Sequence, residues 1–140
     1  MFIYDIEIAN PIPSPGVEPV AGVTYAKGWD YPATMGIACI GVYEYTTDKY
    51  RVFSEYELDA FQKLVDSHDV RIGYNNIKFD NGVLRACEIK IEDRRCYDIL
   101  TEIFRALGSF QKGCKLDDVI KANFSNAGKN GDGATAPILW

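Results

Sequence analysis

Two acidic residues alternate with large apolar ones in the first predicted strand of this chain. Residues 2–8, Phe-Ile-Tyr-Asp-Ile-Glu-Ile, are rich in the side chains that favour a buried strand, and Pro11 ends it. Residues two positions apart in a strand project to one face about 6.6 Å apart, so Asp5 and Glu7 are neighbours. A buried carboxylate is costly without compensation, and its hard oxygens select Mg²⁺ or Mn²⁺. The face therefore binds a cation, or the strand is an edge strand with both acids in solvent.

A second group of polar residues lies at 73–80, Gly-Tyr-Asn-Asn-Ile-Lys-Phe-Asp. It follows a predicted strand at 70–74 and opens a predicted helix at 79–88. Glycine and asparagine favour the turn between them, which places Asp80 near the helix N-terminus. The acid would then lie beside the acids of the first strand. Simple capping of the helix by Asn76 or Asp80 explains the same pattern without any site.

The order of the predicted elements indicates an α/β fold. Residues 11–32 contain five prolines and three glycines, which predicts a long loop or flap. Ser54 and Glu57 have the capping-box spacing, which predicts a helix from there to Ser67. A mixed sheet flanked by helices is the expected architecture. The other predicted elements are strands at 34–45, 49–53 and 95–97, helices at 99–107 and 116–124, and a loop at 125–136.

Charge is unevenly distributed along the chain. The net charge of −5 argues against a protein that coats nucleic acid by electrostatics alone, because that mode needs many contacts from lysine and arginine to phosphates. Residues 1–70 carry 4 basic and 11 acidic side chains, whereas residues 71–140 carry 11 basic and 9 acidic ones. Any surface that faces phosphate is therefore expected in the second half. A solvated helix face also explains its candidates, which are Lys78, Arg85, Lys90, Arg94 and Arg95.

The four cysteines and the single histidine do not form a zinc motif. Cys39, Cys87, Cys96 and Cys114 are widely spread with no C-x-x-C pair, so we expect reduced thiols in the core. His68 closes the first predicted helix, where a surface or capping role is expected. No apolar run approaches the roughly 18 to 20 residues that span a bilayer, and no signal peptide is visible. We expect a cytoplasmic protein with no membrane segment.

Taken together, the two acidic motifs resemble those of the DEDD 3′–5′ exonucleases of the ribonuclease H-like superfamily, which include the proofreading exonucleases of DNA polymerases. Asp5-Ile6-Glu7 is similar to the first exonuclease motif, and residues 73–80 are similar to the second. Their separation along the chain also suits the family. Two further segments, Cys96–Leu100 and Leu116–Val119, are similar to later parts of these domains, so the resemblance covers most of the chain.

The resemblance implies a ribonuclease H-like fold and hydrolysis of phosphodiester bonds at single-stranded DNA or RNA ends. It implies that Asp5, Glu7 and Asp80 are the catalytic residues and bind two Mg²⁺ or Mn²⁺ ions. Three residues of the second motif are candidate substrate contacts: Tyr74 either packs or contacts a nucleotide, Asn76 either touches substrate or shapes the turn, and Lys78 faces phosphate. Phe79 is expected in the core beneath the site.

The chain departs from the family pattern at its C-terminus. The family carries a fourth acid on a late helix, four or five residues after a Tyr or His, and no such pair occurs here. Candidate substitutes are Asp98, Asp117, Asp118 and Asp132. The last residues, Pro137-Ile138-Leu139-Trp140, are similar to the segment that leads into that helix. We therefore expect one domain over residues 1–140 that is truncated before its final helix.

Two other interpretations remain open at the level of sequence. The first is a catalytically impaired ribonuclease H-like module that binds nucleic acid or protein without turnover. The second is a flavodoxin-like or other α/β domain in which the acids are accidental.

Overall fold

The computed structural model of this protein describes residues 1–109, 112–124 and 137. The predicted loop at 125–136, Asp132 and residues 138–140 lie outside the described residues. Four α-helices occur in the described part: α1 (Leu58–Ser67), α2 (Asp80–Ala86), α3 (Ile99–Leu107) and α4 (Leu116–Asn123). Five strands occur there as well: β1 (Phe2–Glu7), β2 (Cys39–Glu44), β3 (Lys49–Ser54), β4 (Arg71–Gly73) and β5 (Cys96–Asp98).

The five strands form one mixed sheet in the order β3-β2-β1-β4-β5. The first three strands are antiparallel neighbours, whereas β4 and β5 run parallel to β1. This arrangement confirms the predicted α/β fold with a mixed sheet. It also shows that β1 is the middle strand, so the interpretation of an edge strand is wrong.

One face of the sheet packs against α1 and α2. Phe2 and Tyr4 of β1 are buried there, and the ring of Phe2 meets that of Phe61 edge-on with centroids 6.2 Å apart. The capping box before α1 is present, since a Glu57 carboxylate oxygen accepts hydrogen bonds from the Ser54 backbone N–H and hydroxyl, both at 3.0 Å. A single 3-10 turn follows it, and α1 begins at Leu58.

The segment before β2 differs from its prediction. A strand was expected over 34–45, but β2 begins only at Cys39. Residues 32–34 form a 3-10 turn, and Gly36 has a φ of 62°, which is incompatible with an extended strand. Within the preceding loop, the Ala26 N–H donates to the Pro11 carbonyl at 3.0 Å, which links the beginning of the loop to its later part.

The cysteines are reduced, and the helices are too short or too polar for a membrane span in the part of the chain that the structure describes. All four cysteines are free, but they are half-buried rather than mostly enclosed in the core. Within the described residues, no helix combines the length and apolar character that crossing a bilayer requires.

The close approach at Gly73 leads to a testable prediction about stability. A Cβ atom on Gly73 would lie 2.6 Å from Cβ of Asn76, which is fully buried. We expect Gly73→Ala to lower the free energy of unfolding by about 1–3 kcal/mol, as overpacking does elsewhere. Chemical denaturation would measure it. The control is Gly82→Ala in α2, where the nearest atom would be 4.0 Å away and no loss is expected. Equal stabilities of the two variants would contradict the prediction.

Candidate functional site

A cavity of about 390 Å³ opens where β1 and β4 end. The two strands are parallel, so their carboxyl ends meet at one edge of the sheet, and the loops that follow them converge there. Asp5, Glu7 and Asp80 all line this cavity, and Tyr74 lines it as well. The tertiary structure thus brings together the acids of the two sequence motifs. We call this space the acidic cavity.

Asp5 and Glu7 lie on the face of β1 opposite the core. Asp5 is exposed and Glu7 is half-buried, so the expectation that both acids are buried is wrong for Asp5. The partner of Asp5 on β2 is Gly41, which has no side chain and leaves this face open above the acid. Burial, followed by the charges of Glu7 and Asp5, raises the pKa of the neighbouring Cys39 thiol. The face therefore has a negative potential.

Asp80 is the first residue of α2 and is almost fully enclosed, with 3% of its surface exposed. Its carboxylate accepts a hydrogen bond of 3.2 Å from the backbone N–H of Ile6, which joins α2 to β1 across 74 sequence positions. Burial and then the charge of Asp5 raise the pKa of Asp80 to about 7, despite backbone hydrogen bonds that lower it. The N-cap of α2 is Phe79, so helix capping by Asn76 or Asp80 does not explain the motif.

Asp98 holds the loop between β4 and α2 in place. One of its carboxylate oxygens accepts from the Asn75 N–H at 2.8 Å and the Leu100 N–H at 3.0 Å, and the other accepts from Ile77 at 3.4 Å. It also accepts from Thr101 as the N-cap of α3. Asn75 needs this restraint because its φ of 63° is left-handed.

None of the three described candidates for a fourth acid, Asp98, Asp117 and Asp118, lines the acidic cavity. Among the described ones, Asp98 is engaged with backbone N–H groups, and Asp117 forms an ion pair with Lys121. Asp118 lines a different cavity. The structure therefore brings three acids, and no described fourth one, to the walls of the acidic cavity.

Two of the predicted substrate contacts lie elsewhere. Asn76 is fully buried and donates to the Tyr4 hydroxyl at 2.9 Å, so its side chain lies in the core and shapes the turn. Lys78 is exposed and does not line the acidic cavity. The other basic candidates are also absent from its walls, and three of them form surface ion pairs: Arg85 with Asp93, and Arg94 and Arg95 with Glu92.

Two aromatic residues form a wall of the cavity that the motifs did not predict. Trp29, from the long loop, is 71% exposed and its ring lies 5.7 Å from that of Phe79. Phe79 is half-buried and lines the cavity, although it was expected beneath the site. The sequence signal that could have identified Trp29 as a site residue is its position in a proline-rich and glycine-rich loop, since loops commonly carry binding residues.

The comparisons with known proteins bear on the fold. No protein-family model and no curated protein matches this sequence. Among solved structures, the family B DNA polymerase from the hyperthermophilic archaeon Pyrobaculum calidifontis is similar, with a TM-score of 0.63 and 16% sequence identity. The fold is ribonuclease H-like. The match covers 99% of this chain and 20% of the polymerase chain, so the chain spans about a fifth of its length. At this identity the likeness shows the fold alone, and the resemblance to DEDD exonucleases stays a prediction.

The acids have the chemistry of a metal site but not a closed cage. Carboxylate oxygens are the ligands that Mg²⁺ and Mn²⁺ prefer. Within the described residues, no group of three or more His, Cys, Asp or Glu side chains is arranged to enclose an ion. Mg²⁺ is commonly held by one or two carboxylates together with water and substrate phosphates, so an open site of this kind suits it. A cation near Asp80 would also offset the burial and the like charge that raise its pKa.

Proposed function

We propose that this chain is a metal-dependent nuclease domain that hydrolyses phosphodiester bonds at the ends of single-stranded nucleic acid. The observation that carries the proposal is the meeting of Asp5, Glu7 and Asp80 in one cavity, from motifs far apart in sequence. The polarity of digestion, 3′ to 5′, rests on the resemblance of those motifs to the DEDD exonucleases. Both DNA and RNA ends are compatible with the site.

The three acids would hold Mg²⁺ or Mn²⁺. When bound, such ions activate a water molecule and stabilise the leaving oxygen of a phosphodiester. The protein contributes by holding the metal-binding carboxylates in position. Asp80 is held by the Ile6 N–H, so a cation at Asp80 has a defined place relative to β1. Asp5 is exposed on the same strand, so its carboxylate is accessible to an ion or a phosphate.

The aromatic wall supports a single-stranded substrate. Trp29 exposes most of its surface at the cavity and Phe79 supports it from behind. Each base has a π-face, so stacking on such a side chain stabilises a strand with little sequence preference. In a duplex the base faces are covered by their neighbours. A frayed or single-stranded end is therefore the substrate that this wall fits.

The proposal predicts Mn²⁺-dependent hydrolysis that requires Asp5. Single-stranded DNA and RNA with a 5′ label should shorten stepwise from the 3′ end with Mn²⁺, and remain intact with chelator. Asp5→Asn removes a metal ligand, and we expect the rate to fall at least about tenfold. Products are resolved on denaturing gels, and a circular strand should stay intact because it has no end.

The matched control for that experiment is Asp59→Asn. Asp59 is an exposed acid in the first turn of α1, remote from the acidic cavity walls, and its loss should leave the rate unchanged. Equal rates for wild type and Asp5→Asn would contradict the proposed nuclease function. Cleavage of the circular strand would show that the protein hydrolyses internal phosphodiester bonds, and it would contradict only the exonuclease part of the proposal.

A second function, binding of nucleic acid without turnover, is favoured by one observation. In the portion of the chain that the structure describes, no fourth acid lines the acidic cavity and no three-residue metal cage is formed. The same assay separates the two functions. Retention of the labelled strand by the protein in Mn²⁺, with no shortened product, would support the binding module over the nuclease.

A further inference from the structure

A second cavity, of about 800 Å³, adjoins the acidic cavity. It lies between the β4–α2 loop, the side of α3 that carries Leu100 and Phe104, and residues 112–118, which lead into α4 and form its first turn. The two cavities share Trp29, Tyr74 and Asn75, so they form one continuous groove. We call the new part the basic end, because two lysines, Lys112 and Lys115, line it.

The wall of the basic end is joined to the second acidic motif. The Tyr74 hydroxyl donates to the backbone carbonyl of Cys114 at 2.5 Å, which ties the segment that carries the lysines to the loop after β4. Asp98 restrains the same loop from the other side by accepting from the Asn75 N–H. The lysines therefore keep a defined position relative to Asp80, even though they lie more than 30 positions later in the sequence.

We infer that the basic end binds, through Lys112 and Lys115, the internal phosphates of the nucleic-acid strand that lie behind the reacting terminus. This inference rests on the proposed function of the acidic cavity. Lysine ammonium groups complement phosphates, and the aromatic faces of Trp29 and Phe104 suit unstacked bases. Asp118 also lines the basic end, and it lowers the net positive charge there to about one unit.

The distribution of charge along the groove gives the strand a direction of entry. The carboxylates lie at one end, where a bare phosphate would be repelled unless a cation is present. The lysines lie at the other end and attract phosphate without a metal. A strand should therefore bind first through its internal phosphates at the basic end, and its terminus should enter the acidic cavity when a divalent cation is bound.

The test compares the double variant Lys112→Ala/Lys115→Ala with wild type. Fluorescence anisotropy with labelled eight-nucleotide oligothymidylate and oligouridylate, in chelator, should show affinity about tenfold weaker in the variant. Each lost phosphate contact should also reduce the dependence of log K on log salt by about 0.7 for a single strand. Calorimetry with thymidine monophosphate and Mn²⁺ should show no change, because one nucleotide needs only the acidic cavity.

The matched control is Lys49→Ala/Lys63→Ala, which removes the same charge from exposed positions outside both cavities. It should retain oligonucleotide affinity and the salt dependence. Wild-type affinity in the Lys112/Lys115 variant, or an equal loss in the control, would overturn the inference. A wild-type rate of hydrolysis in the Lys112/Lys115 variant would also overturn the inference about the basic end, but it would not contradict the proposed nuclease function. Binding that depends on the two lysines without any hydrolysis would support the basic end and overturn the nuclease.

Discussion

Replacing Asp80 by asparagine is expected to stabilise the metal-free protein at pH 8 by up to about 4 kcal/mol, since one pKa unit corresponds to about 1.4 kcal/mol. The folded structure raises the pKa of this carboxyl from 3.8 to about 7, chiefly by burial and then by the charge of Asp5. At pH 8 the carboxyl is ionised in a place that disfavours the charge. Asparagine is neutral, and its carbonyl oxygen can still accept from the Ile6 N–H.

The effect should depend on pH in a defined direction. Between about pH 4 and 7 the folded protein holds a proton on Asp80 that the unfolded chain has released, so the stability of wild type falls as pH rises through this range. Below pH 4 the carboxyl is protonated in both states and contributes no difference. The advantage of Asp80→Asn should therefore be complete at pH 8, smaller at pH 5 and nearly absent at pH 4.

Divalent cations should narrow the difference in stability between the two proteins at pH 8. A ligand that binds only the folded state at 100 times its Kd stabilises that state by about 2.7 kcal/mol. Mn²⁺ should raise the unfolding midpoint of wild type and leave that of Asp80→Asn nearly unchanged. Thermal unfolding with chelator or Mn²⁺, at three pH values, measures both effects, with Asp59→Asn as the control. A variant no more stable than wild type in chelator at pH 8 would contradict the assigned environment of Asp80.

Loss of the Asp98 carboxylate should be the most damaging single truncation near the site. Asp98 is 3% exposed and accepts from four backbone N–H groups, two in the β4–α2 loop and two at the start of α3. Loss of an N-cap costs about 0.5–2 kcal/mol, and a buried donor left without a partner costs about 1–3 kcal/mol. We expect Asp98→Ala to lower the free energy of unfolding by about 3–4 kcal/mol in total.

Denaturant unfolding of Asp98→Ala would measure this loss, with two comparisons. Asp98→Asn retains one oxygen acceptor and should lose less. Asp117→Ala removes a half-buried acid in the first turn of α4 together with its surface ion pair to Lys121, and should cost under about 1 kcal/mol. The loop that Asp98 restrains also carries Tyr74 and Asn75, so Mn²⁺-dependent activity should fall as well. A loss no larger than that of Asp117→Ala would show that Asp98 does not hold the loop.

Much of the local structure was predictable because it depends on neighbouring residues. The alternation in β1 places Asp5 and Glu7 on one face whatever surrounds the strand. The capping box at Ser54 is likewise a contact between residues three positions apart. The predicted start of β2 was wrong because Gly36 adopts a left-handed φ, which a run of apolar residues in the sequence does not reveal.

The roles of the polar residues around the site were harder to predict. Asn75 and Asn76 are adjacent and chemically identical, yet one lines the groove and the other is fully buried against Tyr4. The difference follows from the left-handed φ of Asn75 and from Gly73, whose missing side chain admits Asn76. The sequence offered Asp98 as a candidate fourth acid, but in the structure it restrains a loop. This role becomes visible only from its hydrogen bonds to four backbone N–H groups, two of them distant in sequence and two nearby.

The sequence by itself determined that two acids share a face of an apolar strand and that a third acid opens a helix after a strand and a turn. These features follow from backbone periodicity and from turn chemistry, which act over a few residues. Only the tertiary structure decided that β1 lies in the middle of the sheet, that Asp80 meets the acids of β1, and that Trp29 and Lys112 border the same groove. Those contacts join distant parts of the chain, and they depend on how the whole sheet and its helices pack.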